Sequence, residues 1–406
     1  MTPTAPDLGT GRASLGPVLD FAWGRTAFTA SDAMTAASLT RSTTIDAIDT
    51  LVGIDVLREL PNARDAGEYR AGRPARRFEL PRDLGAVIAM DAGDTHLSVA
   101  LADLHGTELV RRRSDLDPEH SVGQRRRAIL DELDAVLAAS GVAHDDVLAL
   151  CAGVAAPVAR DGSSPPHPEG FWERTNPGLV DLLAGWAPVV QVKNDAQLAA
   201  TAEGSIGAAI GCRDYIALLA GERLGAGAVV DGHLLHGAHG GVGEMFVFDS
   251  VRGVDSVFGL GPVTVTEAEK LRDAGDLDAA SALLALPQPF EARDVLALAA
   301  AGDPDGQRIA NAVGRRLGRA IAVLSNMFDP ERVIICGAIA DGIEPVLESA
   351  RRTARGILHL PAPDLVRSEL GADIVLTGAI STALQSAREI ALPRLAEERL
   401  RRRAGR

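Results

Sequence analysis

Two stretches of this chain, roughly 125 residues apart, repeat one plan: an apolar run, a glycine-bearing polar turn, then a second apolar run. In the first, residues 87–104, Val87-Ile-Ala-Met90 and Leu97-Ser-Val-Ala-Leu-Ala flank the turn Asp91-Ala-Gly93-Asp-Thr95-His96. In the second, residues 215–235 (YIALLAGERLGAGAVVDGHLL), the same order ends in a tight Asp231-Gly232 turn. Short apolar runs around a glycine turn read as β-hairpins. An ordinary polar turn accounts for either one alone. Repetition instead implies a duplicated lobe with a ligand between the copies. The glycine lets the backbone approach a ligand, and the Thr95 hydroxyl and bare N–H groups of the first turn can bind a phosphate.

The 406 residues suffice for two or three domains with buried cores. No apolar run approaches the ~20 residues of a membrane span. The opening MTPTAPDLGTGR has no signal-peptide features, so a cytoplasmic location and no membrane partner are expected. Cys151, Cys212 and Cys336 are too scattered for a disulfide framework or a metal pattern. The net charge of −14 argues against indiscriminate polyanion binding, but it is uneven. Residues 1–80 carry 9 Arg against 10 Asp/Glu, hence −1, which leaves −13 for the rest. A near-neutral head with clustered arginines, joined to an acidic body, is compatible with focused contact to DNA.

That head spans 12–80. Helical spacing predicts one helix over Leu15–Trp23 and a second behind the capped start Thr29-Ala-Ser-Asp32. A third carries Ile45, Ile48, Leu51 and Val52 behind the polar opening Arg41-Ser42-Thr43-Thr44. A strand from Val56 and an arginine-rich stretch, Arg73-Pro-Ala-Arg76-Arg77, complete the pattern of a winged helix-turn-helix. A small helical dimerisation module is the plainer alternative. On the DNA reading, Arg41, Ser42, Thr43 and Thr44 meet the major groove, while Arg73, Arg76 and Arg77 reach phosphates or the minor groove. Residues 81–85 follow as a linker.

Residues 86–198 read as a first α/β lobe and 199–380 as a second, with a C-terminal helix and basic tail over 381–406 that reads as solvated or frayed. Residues 111–121 read as polar connection, 124–140 as an amphipathic helix, and 147–157 and 189–192 as buried parallel strands. The last strand delivers Asn194-Asp195 to a helix start, where open α/β sheets place ligands. A carboxylate there can take a proton from a sugar hydroxyl attacking a phosphoryl group, or the pair can act only as an N-cap. Four glycines remove side chains around Glu244, so the backbone can pack closely and leave that carboxylate facing a cavity, or the loop is flexible and the glutamate incidental.

Taken together, these motifs resemble the ROK family, which joins bacterial sugar kinases to sugar-responsive repressors. Asp91-Ala-Gly93-Asp-Thr95 resembles the first phosphate loop, Asn194-Asp195 the sugar-binding Asn and catalytic Asp, and Leu224-Gly-Ala-Gly-Ala-Val-Val-Asp-Gly the second phosphate loop. Gly240-Gly-Val-Gly-Glu244 resembles the sugar loop, and Asp329-Pro330 to Gly337 the adenosine-side strand, with Cys336 in place of a glycine. The resemblance implies an actin-like, hexokinase-like fold of two α/β lobes behind the winged head, usually as a homodimer or homotetramer. It assigns Asp91, Gly93, Thr95, Gly225, Gly227 and Gly337 to a nucleotide, and Asn194, Asp195 and Glu244 to a ligand. His167 and Asn176 stand near the place of a further sugar-side residue.

The chain also departs from that pattern. Glu222 and Arg223 stand where the second phosphate loop usually has Thr-Gly. A carboxylate about 4 Å from a phosphate costs on the order of 1–4 kcal/mol, although Arg223 can offset it. Val247 replaces the family's zinc-binding His, and residues 248–262 contain no Cys, so no structural zinc is expected. Two functions follow. One is a transcription regulator with operator DNA and a sugar-like effector as partners. The other is a sugar kinase using ATP and magnesium, with Asp195 as base. The head and the altered second loop favour the regulator, and a regulator with residual kinase activity lies between.

Overall fold

A computed structural model describes residues 14–61, 75–337 and 341–404. The head opens with helices α1 (Leu15–Ala22), α2 (Ala30–Ala37) and α3 (Arg41–Gly53). Thr29 accepts from Asp32 N–H and Asp32 answers Thr29, a capping box that starts α2; Ser38 ends it in the left-handed region at φ 53°. Only Ser38, Leu39 and Thr40 separate α2 from α3, the short turn of a helix-turn-helix. Strands β1 (Phe28–Thr29), β2 (Arg58–Leu60) and β3 (Arg77–Glu79) form a sheet in the order β1-β3-β2. Ile48, Leu51, Phe28 and Phe78 are buried beneath it. The expected wing is therefore two strands long here, and Arg73 lies outside the described residues.

The linker is not a free spacer. Residues 82–84 make a single 3-10 turn, and both Leu80 and Leu84 are buried in a core cluster shared by head and body. Arg58 reinforces the junction with two bonds to Asp83, of 2.8 and 2.9 Å.

In the body the duplication is plain. Strands β4 (Ala86–Ala92), β5 (His96–Asp103), β6 (Glu108–Asp115), β7 (Val147–Val154) and β8 (Val190–Asn194) make one sheet in the order β6-β5-β4-β7-β8. The second contains β9 (Tyr215–Leu219), β10 (Gly225–Val230), β11 (His233–Leu234), β12 (Arg332–Cys336) and β13 (Asp364–Arg367), ordered β11-β10-β9-β12-β13. Each has an antiparallel hairpin on one side and two parallel strands on the other. Strand β6 takes up 111–115 of the connection expected over 111–121; its exposed edge position allows Arg111, Arg112 and Arg113 in a strand.

Helix α4 (Val122–Ser140), the short α5 (Phe171–Thr175) and α6 (Leu179–Leu183), and α7 (Asp195–Ile206) serve the first half. The second half adds α8 (Leu260–Asp273), α9 (Ala292–Ala300), α10 (Pro304–Phe328) and α11 (Glu344–Ile357). The chain then returns to the first sheet through α12 (Ile374–Ser386), which packs against α7, β4 and β7. Gly378 lets it do so, since a Cβ there would lie 2.0 Å from the Leu198 carbonyl. A π-turn over 387–391 joins α12 to α13 (Leu392–Ala404). Leu392 and Ala396 of α13 are buried, so the helix is docked, while Arg401, Arg402 and Arg403 at its end are exposed. Among the described residues no helix is long and apolar enough to cross a membrane.

Candidate functional site

The site gathers where β4 and β8 end and the glycine loop of the second lobe folds over them. Asn194 caps α7: its Oδ1 accepts from Gln197 N–H at 3.1 Å, and its Nδ2 donates to the Ala156 carbonyl at 3.1 Å. The next residue, Asp195, accepts the Ala196 N–H on Oδ1 at 2.7 Å. Burial pushes the Asp195 carboxyl up to about 7, and the nearby Glu244 and Asp91 add repulsion. Burial likewise raises Glu244 to about 7, against the pull of Arg223. Gly243 makes this approach possible: at φ +94° its missing Cβ would lie 1.7 Å from the Ala226 carbonyl. Three carboxyls and one fixed amide thus line a recess, a donor-seeking set suited to the hydroxyls of a polyol.

Of the residues assigned to a nucleotide, Asp91 is buried, and its Oδ2 lies 3.0 Å from His96 Nε2. The His96 ring also covers Gly93, where a Cβ would meet it at 2.3 Å. Thr95 is exposed. Beneath this turn lies a residue the sequence reading missed. Arg125 of α4 is fully buried and donates to the carbonyls of Gly93 and, at 3.0 Å, Asp94. It opens the run Arg125-Arg126-Arg127, in which nothing local marks the inward member. Gly225 and Gly227 face α7, and a Cβ on Gly227 would lie 2.2 Å from the Ala196 carbonyl. Gly337 ends β12 at φ +104°.

Asn176 is displaced from the recess. Its amide nitrogen is bonded to Gly162 O and Ser164 Oγ, and its oxygen to Leu179 N–H, so it braces its own loop. His167 belongs instead to an aromatic group. Its ring lies 4.8 Å from Trp172, 6.1 Å from Phe171 and 6.1 Å from Phe246, and Trp172 is 6.0 Å from Phe246. Arg223, which faces Glu244, also stacks 5.1 Å over Phe171. Where the resemblance would put a zinc module, Met245, Phe248, Val254 and Val257 are buried as an apolar anchor. Among the described residues no cluster of three or more His, Cys, Asp or Glu is placed to hold a metal.

At the start of α3, Arg41 and Ser42 are exposed, and Thr40 caps the helix, accepting from Thr43 N–H at 3.3 Å. Thr44 is fully buried, with its hydroxyl donated to the Thr40 carbonyl at 2.8 Å; it cannot reach a groove. Arg76 is also engaged, bonded to Glu59 at 2.9 and 2.8 Å and to Asp49 at 2.8 Å. It fastens the wing to α3 rather than offering a free cation. Arg77 sits half-exposed on β3.

The model of the ROK family matches residues 87–246 and 278–386. The chain is 34% identical over 196 residues to the bifunctional enzyme NanE/NanK of Brucella suis biovar 1, which covers 48% of this chain and 34% of that enzyme. It is 28% identical over 239 residues to the DNA-binding transcriptional dual regulator NagC of Escherichia coli K12, covering 48% and 55%. The chain therefore spans between about a third and about half of these relatives. The structure of a ROK family transcriptional regulator, a homologue of the E. coli Mlc protein, superposes with TM-score 0.75 at 21% identity, covering 95% of this chain and 98% of that one. A ROK family glucokinase from Streptomyces griseus, in complex with glucose and AMPPNP, superposes with TM-score 0.56 at 24% identity, covering 74% and 100%.

Proposed function

The chain belongs to the ROK family, and from that premise we propose that it is a transcription regulator: the head binds operator DNA and the recess binds a sugar or sugar-like effector. The observation that carries this reading is the head itself, in which α2, a three-residue turn and α3 are followed by a small antiparallel sheet. The glucokinase superposition uses all of that enzyme yet only 74% of this chain. The regulator superposition extends to 95%. Arg41 and Ser42 contact base edges, and Arg77 contacts phosphate. Two copies bind two half-sites, in keeping with the homodimer or homotetramer that the family resemblance implies.

In the recess, Asp195, Glu244 and Asn194 take the effector's hydroxyls. The sugar loop is held by its apolar anchor, Met245, Phe248, Val254 and Val257. A residual sugar-kinase activity is the second reading, favoured by the Asp195 carboxyl being tuned close to neutrality. The residues around the two phosphate loops fit a nucleotide poorly. His96 is bound to Asp91, Gly227 is packed against the backbone of α7, and Glu222 adds a carboxylate.

The test has two arms. Immobilised full-length protein should enrich a discrete motif from random duplex DNA, and Arg41→Ala should weaken binding to that motif at least tenfold. A coupled ADP-release assay over hexoses and N-acetylhexosamines, with Asp195→Ala as control, should show no sugar-dependent turnover. Brisk turnover by a protein that enriches no DNA motif overturns the regulator reading.

A further inference from the structure

Beside the carboxyls of Asp195 and Glu244 stands a group of different chemistry. It is aromatic and comes from both lobes: His167, Phe171 and Trp172 from the loop and helix after β7, Phe246 from the segment that follows the glycine loop of the second half. Phe246 stands two residues beyond Glu244 and remains 36% exposed, with Val247 beside it at 62%. Arg223 links the two groups, since it lies in the field of Glu244 while stacked on Phe171.

A free monosaccharide seated on the carboxyls leaves Phe246 exposed and the other three rings half-buried. A ligand with a second ring covers them, and because the rings belong to both lobes, it contacts both. We propose that the effector is a glycoside, a sugar bearing a second ring in the aglycone position, and that Trp172 and Phe246 are the residues that select it. The second ring stacks through an apolar face, whether it is an aryl group or the C–H face of another sugar. His167 is held in place for this, its ring Nδ1 accepting from Glu169 N–H at 3.1 Å and its backbone N–H donating to Glu173 at 3.1 Å. The proposal rests on the recess being the sugar site proposed above.

Titration calorimetry on the full chain tests it, with glucose, galactose, mannose and N-acetylglucosamine against their phenyl glycosides and against cellobiose, maltose and lactose. The expected result is that at least one glycoside binds 10-fold or more tighter than its parent monosaccharide and shifts tryptophan emission. The phenyl and disaccharide arms identify the source of the second ring. Phe246→Leu, which keeps apolar volume, and Trp172→Leu should each narrow the glycoside-to-monosaccharide ratio at least threefold. Glu244→Gln should weaken both ligands together. Equal affinity for glycoside and parent, or an unchanged ratio in both variants, overturns the proposal and leaves the sugar site standing. No binding by any sugar or glycoside overturns both.

Discussion

Arg399 Nη1 donates to the backbone carbonyls of Asp55, at 2.8 Å, and Ile54, at 3.2 Å, which ties the C-terminal helix to the end of α3. Arg403 does the same for the Gly53 carbonyl at 2.6 Å, and Arg388 pairs with Asp20 of α1. The last carbonyls of a helix have no partner within it and carry partial negative charge, so cations there satisfy and stabilise them. The tie leads directly to the recess. α13 continues through the π-turn from α12, and α12 is locked on α7, whose first residue is Asp195. Replacing both Arg399 and Arg403 with Ala should loosen the head by about 1–2 kcal/mol. Faster proteolysis near residues 53–62 and weaker DNA binding, with the ligand affinity of the body kept, would register it. Unchanged head protection would show that the contacts are idle.

The carboxyls of the recess set a pH dependence of known sign. Asp195 and Glu244 both titrate near 7 in the folded protein and near 4 when unfolded, so the native state binds more protons in between. Their contribution is most favourable below pH 4 and is lost as pH rises through 7. Asp195→Asn removes one of the charges that must otherwise be buried. It should raise stability by about 1–3 kcal/mol at pH 8 and leave it little changed at pH 4. Urea unfolding at both pH values measures this, and equal effects at the two would mean that Asp195 is hydrated.

Gly227 separates two uses of a glycine. A phosphate cradle needs its backbone N–H and tolerates a methyl group that points elsewhere. Here a Cβ would fall 2.2 Å from Ala196 O and 2.6 Å from Ala200 Cβ, pushing β10 off the helix that carries Asp195. Gly227→Ala should cost about 2–3 kcal/mol and weaken effector binding with it. A fully stable variant would return the glycine to a ligand-facing role.

How much of this was legible beforehand follows from where the determining contacts lie along the chain. The two hairpins, the order of the head helices and Asn194-Asp195 at a strand-to-helix junction depend on neighbours in sequence, and all stand where periodicity placed them. Strand β6 did not show itself, because an exposed edge strand needs no apolar alternation. Arg76 carries the same signal as a phosphate-binding arginine until its partners Asp49 and Glu59 are known. The basic tail reads as frayed until the carbonyls of α3, some 345 residues away, are brought to Arg399. Thr44 sits within the polar start of α3, yet the helix turns it wholly inward.

Arg125 gives the last prediction, because it concerns the turn on which either function depends. Its guanidinium is fully buried, and burial pulls its pKa down; the main-chain oxygens of Gly93 and Asp94 supply its hydrogen bonds. The turn 93–95 therefore keeps its shape by closing around a buried charge, whose Nε has no hydrogen-bond partner. Arg125→Ala removes the charge but leaves a cavity and two buried carbonyls without donors, at a cost of about 3–5 kcal/mol. Arg125→Met fills much of the volume and should recover part of that loss while still leaving the carbonyls unpaired. The comparison isolates the hydrogen bonds from the packing. With Met as destabilising as Ala, the bonds hold the turn; with Met close to wild type, apolar filling does. Thermal unfolding of the two variants, beside hydrogen exchange at the amides of 93–96, decides between them, and the bonds should prove the larger part.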